Sequence, residues 1–600
     1  MAGVSWARFG VGVVVGNRFV AALRHALLNT GDGAGCTCSR RCRPPPGPAC
    51  TLVARDVSDM VLRRDPLADE RLRMERIRRL PSVWLALALV LVGAAVLDLV
   101  GIGWGLPYLY HPDEPTNLMA VGQMVQRGTL NHGQWQYPAF SFDIQALVNL
   151  IAVRIGTAFG WVHGAADADQ MRILLTGVGR LAHPGYLVIG RLVCVVESVA
   201  TVAAAAWMAR LAGGDRRALW LTPLLVAILP ISVGFSYYMT PDPLSGLTST
   251  LAVCGALLAY RSPSWRTYAF AGAMIGLAGS SKYNCALVGI SLVVAHLLGR
   301  ERGRWNRLVL AGVVAVGAFV LTTPYAIFDF RGMLHGLNFD ETHYSSGHVG
   351  AQGDALGANA RWIFDSFGVF LLGLLGLWWV SARRQMIIVG AFVIAYFALL
   401  SSVVVRFERN LLPLVPALAV LVVVGGLALW DRARVRWGTP VTTGLSVVLV
   451  AALGWTLYGT AGELHNSLSD QKAQAFAWIQ ANVPVGDTVV LDPFSPYVDP
   501  SRWHVVVLPQ RTVGGVTYPQ WYVLENPPAL HAAHPDVVVE TNAGSGRYLA
   551  LGSTIARQTQ AYLEAASCAR YAFDDNTIHV YVLRCGRPTA QRLPAPQAAG

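Results

Sequence analysis

A polytopic α-helical membrane protein ending in a small extracytoplasmic α/β domain is the fold class this sequence predicts. Three observations predict it. Of the 600 residues, 54% are hydrophobic and only 14% charged, with a mean hydropathy of +0.44, the balance of a chain that uses the bilayer as solvent. The basic residues are mostly arginines in short runs between apolar segments, the pattern of cytoplasmic loops. After residue 460 the long apolar runs give way to short ones separated by Pro, Asp and Gly. The net charge of +12 resides largely in those loop arginines, so it gives no reason to expect nucleic acid as a partner.

Residues 1–73 do not read as a folded domain. The apolar stretch 10–28 is broken by Arg18 and Arg24, and Cys36, Cys38, Cys42 and Cys50 lie among Arg and Pro at a spacing that fits no zinc site. Met74 opens Met-Glu-Arg-Ile-Arg-Arg just ahead of the first span, a normal start. Residues 1–73 are therefore expected to be a disordered or mis-started extension.

The first span is 82–104. Arg71, Arg73, Arg76, Arg78 and Arg79 precede it and place the N-terminus in the cytoplasm, so residue 105 onward lies outside. Further spans read as 186–209, 217–238, 243–260, 267–281, 284–299, 307–325, 366–382, 385–403, 410–430 and 440–459, eleven in all. The arginine-rich connections, such as Arg300/Arg302/Arg304/Arg307 and Arg432/Arg434/Arg436, all fall inside if 105–185 stays outside. Residues 139–162 are apolar enough to span but contain Asp143, Gln145, Asn149 and Arg154, and a crossing there would turn every later arginine loop outward. They are therefore expected to form an amphipathic helix on the outer membrane surface. The transmembrane domain is then 74–460, with long outer loops at 105–185 and 326–365. The mature protein should lie in the plasma (inner) membrane.

Residues 461–600 carry a plausible helix at 471–482, strands near 488–491, 505–508 and 537–539, and a hairpin over 571–585. Eleven crossings place this domain outside, where Cys568 and Cys585 meet an oxidising environment. They are expected to pair across the hairpin. No internal repeat of the kind many transporters show is visible.

The outer face gathers the chemistry. Tyr110-His-Pro-Asp-Glu-Pro115 sets Asp113 and Glu114 between prolines that fix the chain direction. Lys282, a lone lysine, closes a Gly-rich span, and Arg406 and Arg409 close the ninth. An acid within reach of an acceptor hydroxyl can act as general base. Cations beside it suit a phosphate or pyrophosphate and would stabilise its charge as it leaves.

These motifs, in this order and on one side, resemble the GT-C superfamily of polytopic glycosyltransferases. The likeness is to the branch of protein O-mannosyltransferases and lipid A aminoarabinose transferases, whose bacterial members are phospholipid-carrier-dependent. It rests on Asp113-Glu114, Tyr137-Pro138, Asp242 at an outer Pro-Asp-Pro turn, Gly276/Gly279 leading to Lys282-Tyr283, and Arg406/Arg409 leading into Leu411-Leu412-Pro413. The resemblance covers residues 82–460. It implies transfer of a hexose or pentose from a polyprenyl phosphate to a hydroxyl of a glycan, lipid or protein of the cell envelope. Asp113 would be the base and Glu114 its support. Lys282 with Arg406 or Arg409 would hold the lipid phosphate, and Tyr137, Asp242, Tyr283, His343 and His348 would line the substrate. No cofactor is implied as obligatory; a divalent metal has acids and histidines to take it but is not expected, because lysine and arginine supply its charge. Residues 461–600 do not match the β-trefoil of O-mannosyltransferases. The competing readings are a flippase or transporter of a lipid-linked saccharide and a non-catalytic membrane subunit. The first expects polar residues at mid-span and on both faces; the second leaves the long first loop and Lys282 without a role.

Overall fold

The computed structural model describes residues 66–163, 171–172, 180–181, 183–300, 302–346, 353–468, 471–508, 511–513, 516–518, 522–573 and 577–584. Contacts divide the chain into residues 1–78 and 79–600. Most of the predicted 1–73 extension, with its four cysteines, lies outside the described residues. The first helix, α1 (Pro66–Val100), begins ahead of Met74.

The membrane part continues with α2 (Glu114–Arg127), α3 (Phe140–Ala158), α4 (Gly185–Leu211), α5 (Ala218–Ile228), α6 (Asp242–Arg261), α7 (Trp265–Ser281), α8 (Gly289–Leu298), α9 (Trp305–Thr322), α10 (Phe330–Ser346), α11 (Ala355–Phe367), α12 (Arg383–Ser401) and α13 (Val415–Leu468). Among the described residues, eight helical stretches are long and apolar enough to cross a membrane. The predicted eleven differ from this for local reasons. Segment 217–238 is interrupted at Leu229, extended at ψ 133°, before Pro230 opens a short new turn. Segment 284–299 begins as a 3₁₀ run over Tyr283–Val288, and much of 366–382 is 3₁₀ over Gly368–Trp379. The last two expected spans form one bent helix, kinked at Gly438, whose φ of +70° only glycine adopts without strain. That helix runs to Leu468, past the expected boundary at 460.

The amphipathic reading of 139–162 needs correction. Its two amides do not face water, although Arg154 is exposed. Gln145 Nε2 donates to the Gly190 carbonyl of α4 at 3.0 Å, and Asn149 is buried beside it, while Leu147, Ile151 and Ile155 are exposed. A helix that turns its amides to protein and its aliphatics outward is arranged for lipid contact.

Small residues set the depth of α7. A side chain at Gly272 or Gly276 would run into the Ala311 or Ala315 carbonyl of α9, so the two backbones meet directly. This close seam carries the predicted Gly-rich span to its end at Lys282.

The C-terminal sheet comprises β1 (Thr488–Leu491), β2 (His504–Val507), β3 (Val537–Thr541), β4 (Ala569–Phe573) and β5 (Ile578–Val582), ordered β2-β1-β3-β5-β4. The β1–β2 and β1–β3 pairs are parallel, and β5 is antiparallel to β3 and β4. Strand periodicity sorts the two faces. Val489, Leu491, Val537 and Val539 pack toward Ile479 of α14 (Gln471–Asn482). Val490 and Val538 pack toward Leu563 of α15 (Thr554–Ala566). Cys568 is disulfide-bonded; Cys585 lies outside the described residues.

Candidate active site

Every charged group of the site sits at the end of a helix. Asp113 caps α2, with Glu114 as its first residue and Pro115 just inside. Asp242 opens α6, again followed by proline. Two helix N-termini therefore lend their positive ends to acids. Lys282 caps the C-terminus of α7, and Arg409 and Asn410 lie in a 3₁₀ turn, Glu408–Leu414, leading into α13. One cluster results. Lys282 Nζ is 2.7 Å from Asp242 Oδ1 and 2.6 Å from Asn410 Oδ1. Arg409 bridges the two acids, with Nη1 2.5 Å from Asp113 Oδ2 and Nε 3.9 Å from Asp242 Oδ2. Asn410 Nδ2 donates to the Tyr344 hydroxyl at 3.4 Å.

Exposure grades the cluster from floor to rim. Asp242 and Lys282 side chains are 1% and 7% exposed, Arg409 15% and Asp113 25%. Beneath Asp242 a cavity of about 30 Å³, lined by Asp98, Ser198, Thr201 and Ser236, has room for a water or two and none for a sugar.

Glu114 has a different place. It is fully buried and grips Arg191 of α4 bidentately, Nε to Oε1 at 2.8 Å and Nη2 to Oε2 at 2.7 Å. The Met239 amide donates to Oε1 at 3.0 Å, and Arg191 Nη1 donates to the Ile102 and Trp104 carbonyls at 2.8 Å each. The Glu114 charge is thus met by Arg191 and the Met239 amide, and its side chain is fully buried. Arg191 was not among the residues singled out from sequence. Its signal is a lone arginine inside an apolar run, which also reads as a snorkelling cation.

The remaining expected residues divide. Tyr137 stands over the cluster; burial, and next the Asp113 charge, push its phenol well above the usual range, so it stays a hydroxyl. Lys282 is extended at φ −155°, so its neighbour Tyr283 points the other way and donates to the Trp135 carbonyl at 3.4 Å. Trp135 in turn donates to Asp329. Arg406 donates to the Asp354 carbonyl at 3.2 Å. His343 stacks on Phe339, with centroids 5.9 Å apart, and burial lowers its pKa. Helix α10 reaches the cluster through the adjacent Tyr344 instead. His348 lies outside the described residues. Among the described residues no group of three or more His, Cys, Asp or Glu is placed to hold a metal.

Residues 176–328, which include Arg191, Asp242 and Lys282, match the family described as dolichyl-phosphate-mannose-protein mannosyltransferase. Among solved structures the chain is similar to ArnT from Cupriavidus metallidurans bound to undecaprenyl phosphate, at 15% identity over 84% of this chain and 98% of that one, TM-score 0.48. It is also similar to the archaeal oligosaccharyltransferase AglB from Archaeoglobus fulgidus, at 11% identity over 83% and 74%, TM-score 0.48. The Pmt1-Pmt2 protein O-mannosyltransferase complex of S. cerevisiae aligns at 16% identity over 42% and 34%, TM-score 0.31. No curated protein matches the sequence.

Proposed function

We propose, from this similarity to GT-C membrane glycosyltransferases, that the chain moves a sugar from a polyprenyl-phosphate donor to a hydroxyl acceptor, with Asp113 as general base. The observation that carries the choice of base is exposure. Of the three acids Asp113, Glu114 and Asp242, Asp113 alone reaches the rim. At rest its partner is Arg409, and two acids and two cations cancel within the cluster. An arriving donor phosphodiester competes with the carboxylate for Arg409, and the negative charge that grows on the phosphate as its bond to the sugar breaks strengthens its hold on the guanidinium fork. Drawing Arg409 to the phosphate releases Asp113 to take the acceptor proton. The acceptor oxygen then bonds to the anomeric carbon as the bond to the lipid phosphate breaks, and Arg409 and Lys282 hold the departing charge. The buried Lys282–Asp242 pair keeps the floor neutral throughout. Arg406, three residues before Arg409, is a further cation for the lipid phosphate.

Titration of the purified protein with a polyprenyl-phosphate monosaccharide tests this. Arg409→Gln removes a charge-assisted contact worth about 1.5–3 kcal/mol, so donor binding should weaken roughly tenfold to 10²-fold. A wild-type protein that binds no such lipid, or an Arg409→Gln protein that binds it equally well, overturns the reading.

We further propose that this site and the C-terminal domain face the outside of the plasma membrane, with the start of α1 inside. Cysteines introduced at Leu130 and Gly303 report it. In intact cells a membrane-impermeant reagent should label the first and spare the second. Labelling at 303 from outside would mean that α3 crosses the bilayer and that the arginine loops face out.

A further inference from the structure

The loop that carries Asp113 is held from two sides. It leaves α1 at Gly101 and runs extended through Tyr108, Leu109 and Tyr110. Extended backbone sends alternate side chains to opposite faces. Leu109 turns down into a cluster with Leu118, Leu181, Leu187 and Met239 of the membrane part. Tyr108 and Tyr110 turn up, and what they meet belongs to the C-terminal domain. The Tyr108 ring stacks on Tyr497, with centroids 4.7 Å apart and planes 19° apart, and meets Phe476 edge-on at 5.5 Å. Tyr110 packs against Tyr108 at 5.8 Å, and Lys472 Nζ stands 4.8 Å above the Tyr110 ring. Tyr110 and Tyr497 are 4% and 6% exposed, so this is a closed contact. The next residue, His111, lies against Tyr238 at 4.3 Å, and its Nδ1 accepts from the Asp113 amide at 3.2 Å. The chain thus passes without slack from the aromatic stack to the Asp113 backbone.

We propose that the C-terminal domain is a positioning element for the acidic loop, and that Tyr497 and Phe476 are the positioning residues. They act through Tyr108 and Tyr110 to fix the height and direction of Asp113 at the rim of the cluster. The proposal rests on Asp113 being the base, but the coupling itself is mechanical and is measurable apart from it. The stacking face of Tyr497 carries the effect, so its hydroxyl is dispensable.

The test uses the full chain and two readouts. In Tyr497→Ala, hydrogen–deuterium exchange should rise over residues 104–113 and stay unchanged over α6 and α9. Sugar transfer should show kcat lowered roughly tenfold or more, with KM for the lipid donor nearly unchanged, because Arg409 and Lys282 are untouched. Tyr497→Phe should restore both readouts, and Phe476→Ala should reproduce the Tyr497→Ala pattern more weakly. Unchanged exchange over 104–113 overturns the coupling. A rise in exchange with normal kcat overturns the positioning role. A Phe variant as impaired as the Ala variant overturns the stacking argument. If no lipid-linked sugar is turned over by the wild type, the reading of the site fails, while the exchange arm still decides whether the domain holds the loop.

Discussion

Asp113→Asn is expected to lower sugar transfer by roughly 10²-fold to 10⁴-fold while leaving donor binding intact or slightly tighter. The two signs come from one geometry. The amide keeps the size of the carboxylate and can still accept from Arg409, so the turn is preserved, but it cannot take the acceptor proton. Arg409, no longer held by a charge 2.5 Å away, becomes more available to a phosphate. Asp242→Asn should behave otherwise. It strips the charged partner from a buried lysine, leaving Lys282 only neutral amide oxygens to donate to, and should show first as loss of folded protein. An Asp113→Asn protein with normal turnover and ordinary donor affinity would end the case for Asp113.

Arg191→Met should be among the most destabilising single changes in the membrane part. It strands a fully buried carboxylate whose one remaining polar contact is the Met239 amide. Breaking such a pair from one side costs about 3–5 kcal/mol. Folded yield and thermal unfolding in detergent measure it. The double variant Arg191→Met/Glu114→Gln removes both charges and should recover much of the loss. A single variant as stable as wild type, or a double variant no better than the single, would show that the pair is not what holds the loop to α4.

Much of this was legible in the sequence because it depends on local chemistry. The Asp242–Pro243 step announces a helix start, the Gly-rich run before Lys282 announces close helix contact, and short valine runs announce the C-terminal strands. Pro112 and Pro115 read instead as denying a helix, yet Glu114 opens α2 with Pro115 in its first turn, where a missing N–H costs nothing. The division of labour between Asp113 and Glu114 was not legible. Neighbours at a helix start point roughly 100° apart, so one faces Arg409 and the other Arg191, but which faces which depends on partners far along the chain. Arg191 and Tyr344 were missed for the same reason: each gains its meaning from a contact that only the fold makes. The outward aliphatic face of α3 was misread because Gln145 and Asn149 look alike to water and to a neighbouring helix. The docking of Tyr497 on Tyr108 left no periodic trace at all.

The Glu114–Arg191 pair also has a consequence for the order of assembly. Helix α4 emerges from the ribosome with a guanidinium in its second turn, followed by a long apolar run, and a charge there is costly to place in the bilayer unpaired. Its neutralising partner is 77 positions earlier, already synthesised and waiting at the start of α2. The helix becomes a comfortable resident of the bilayer only when that earlier loop folds down over it. Stable residence of α4 in the bilayer should therefore depend on closure of the first loop, so a chain whose loop is cut or mispaired is expected to leave α4 incompletely integrated.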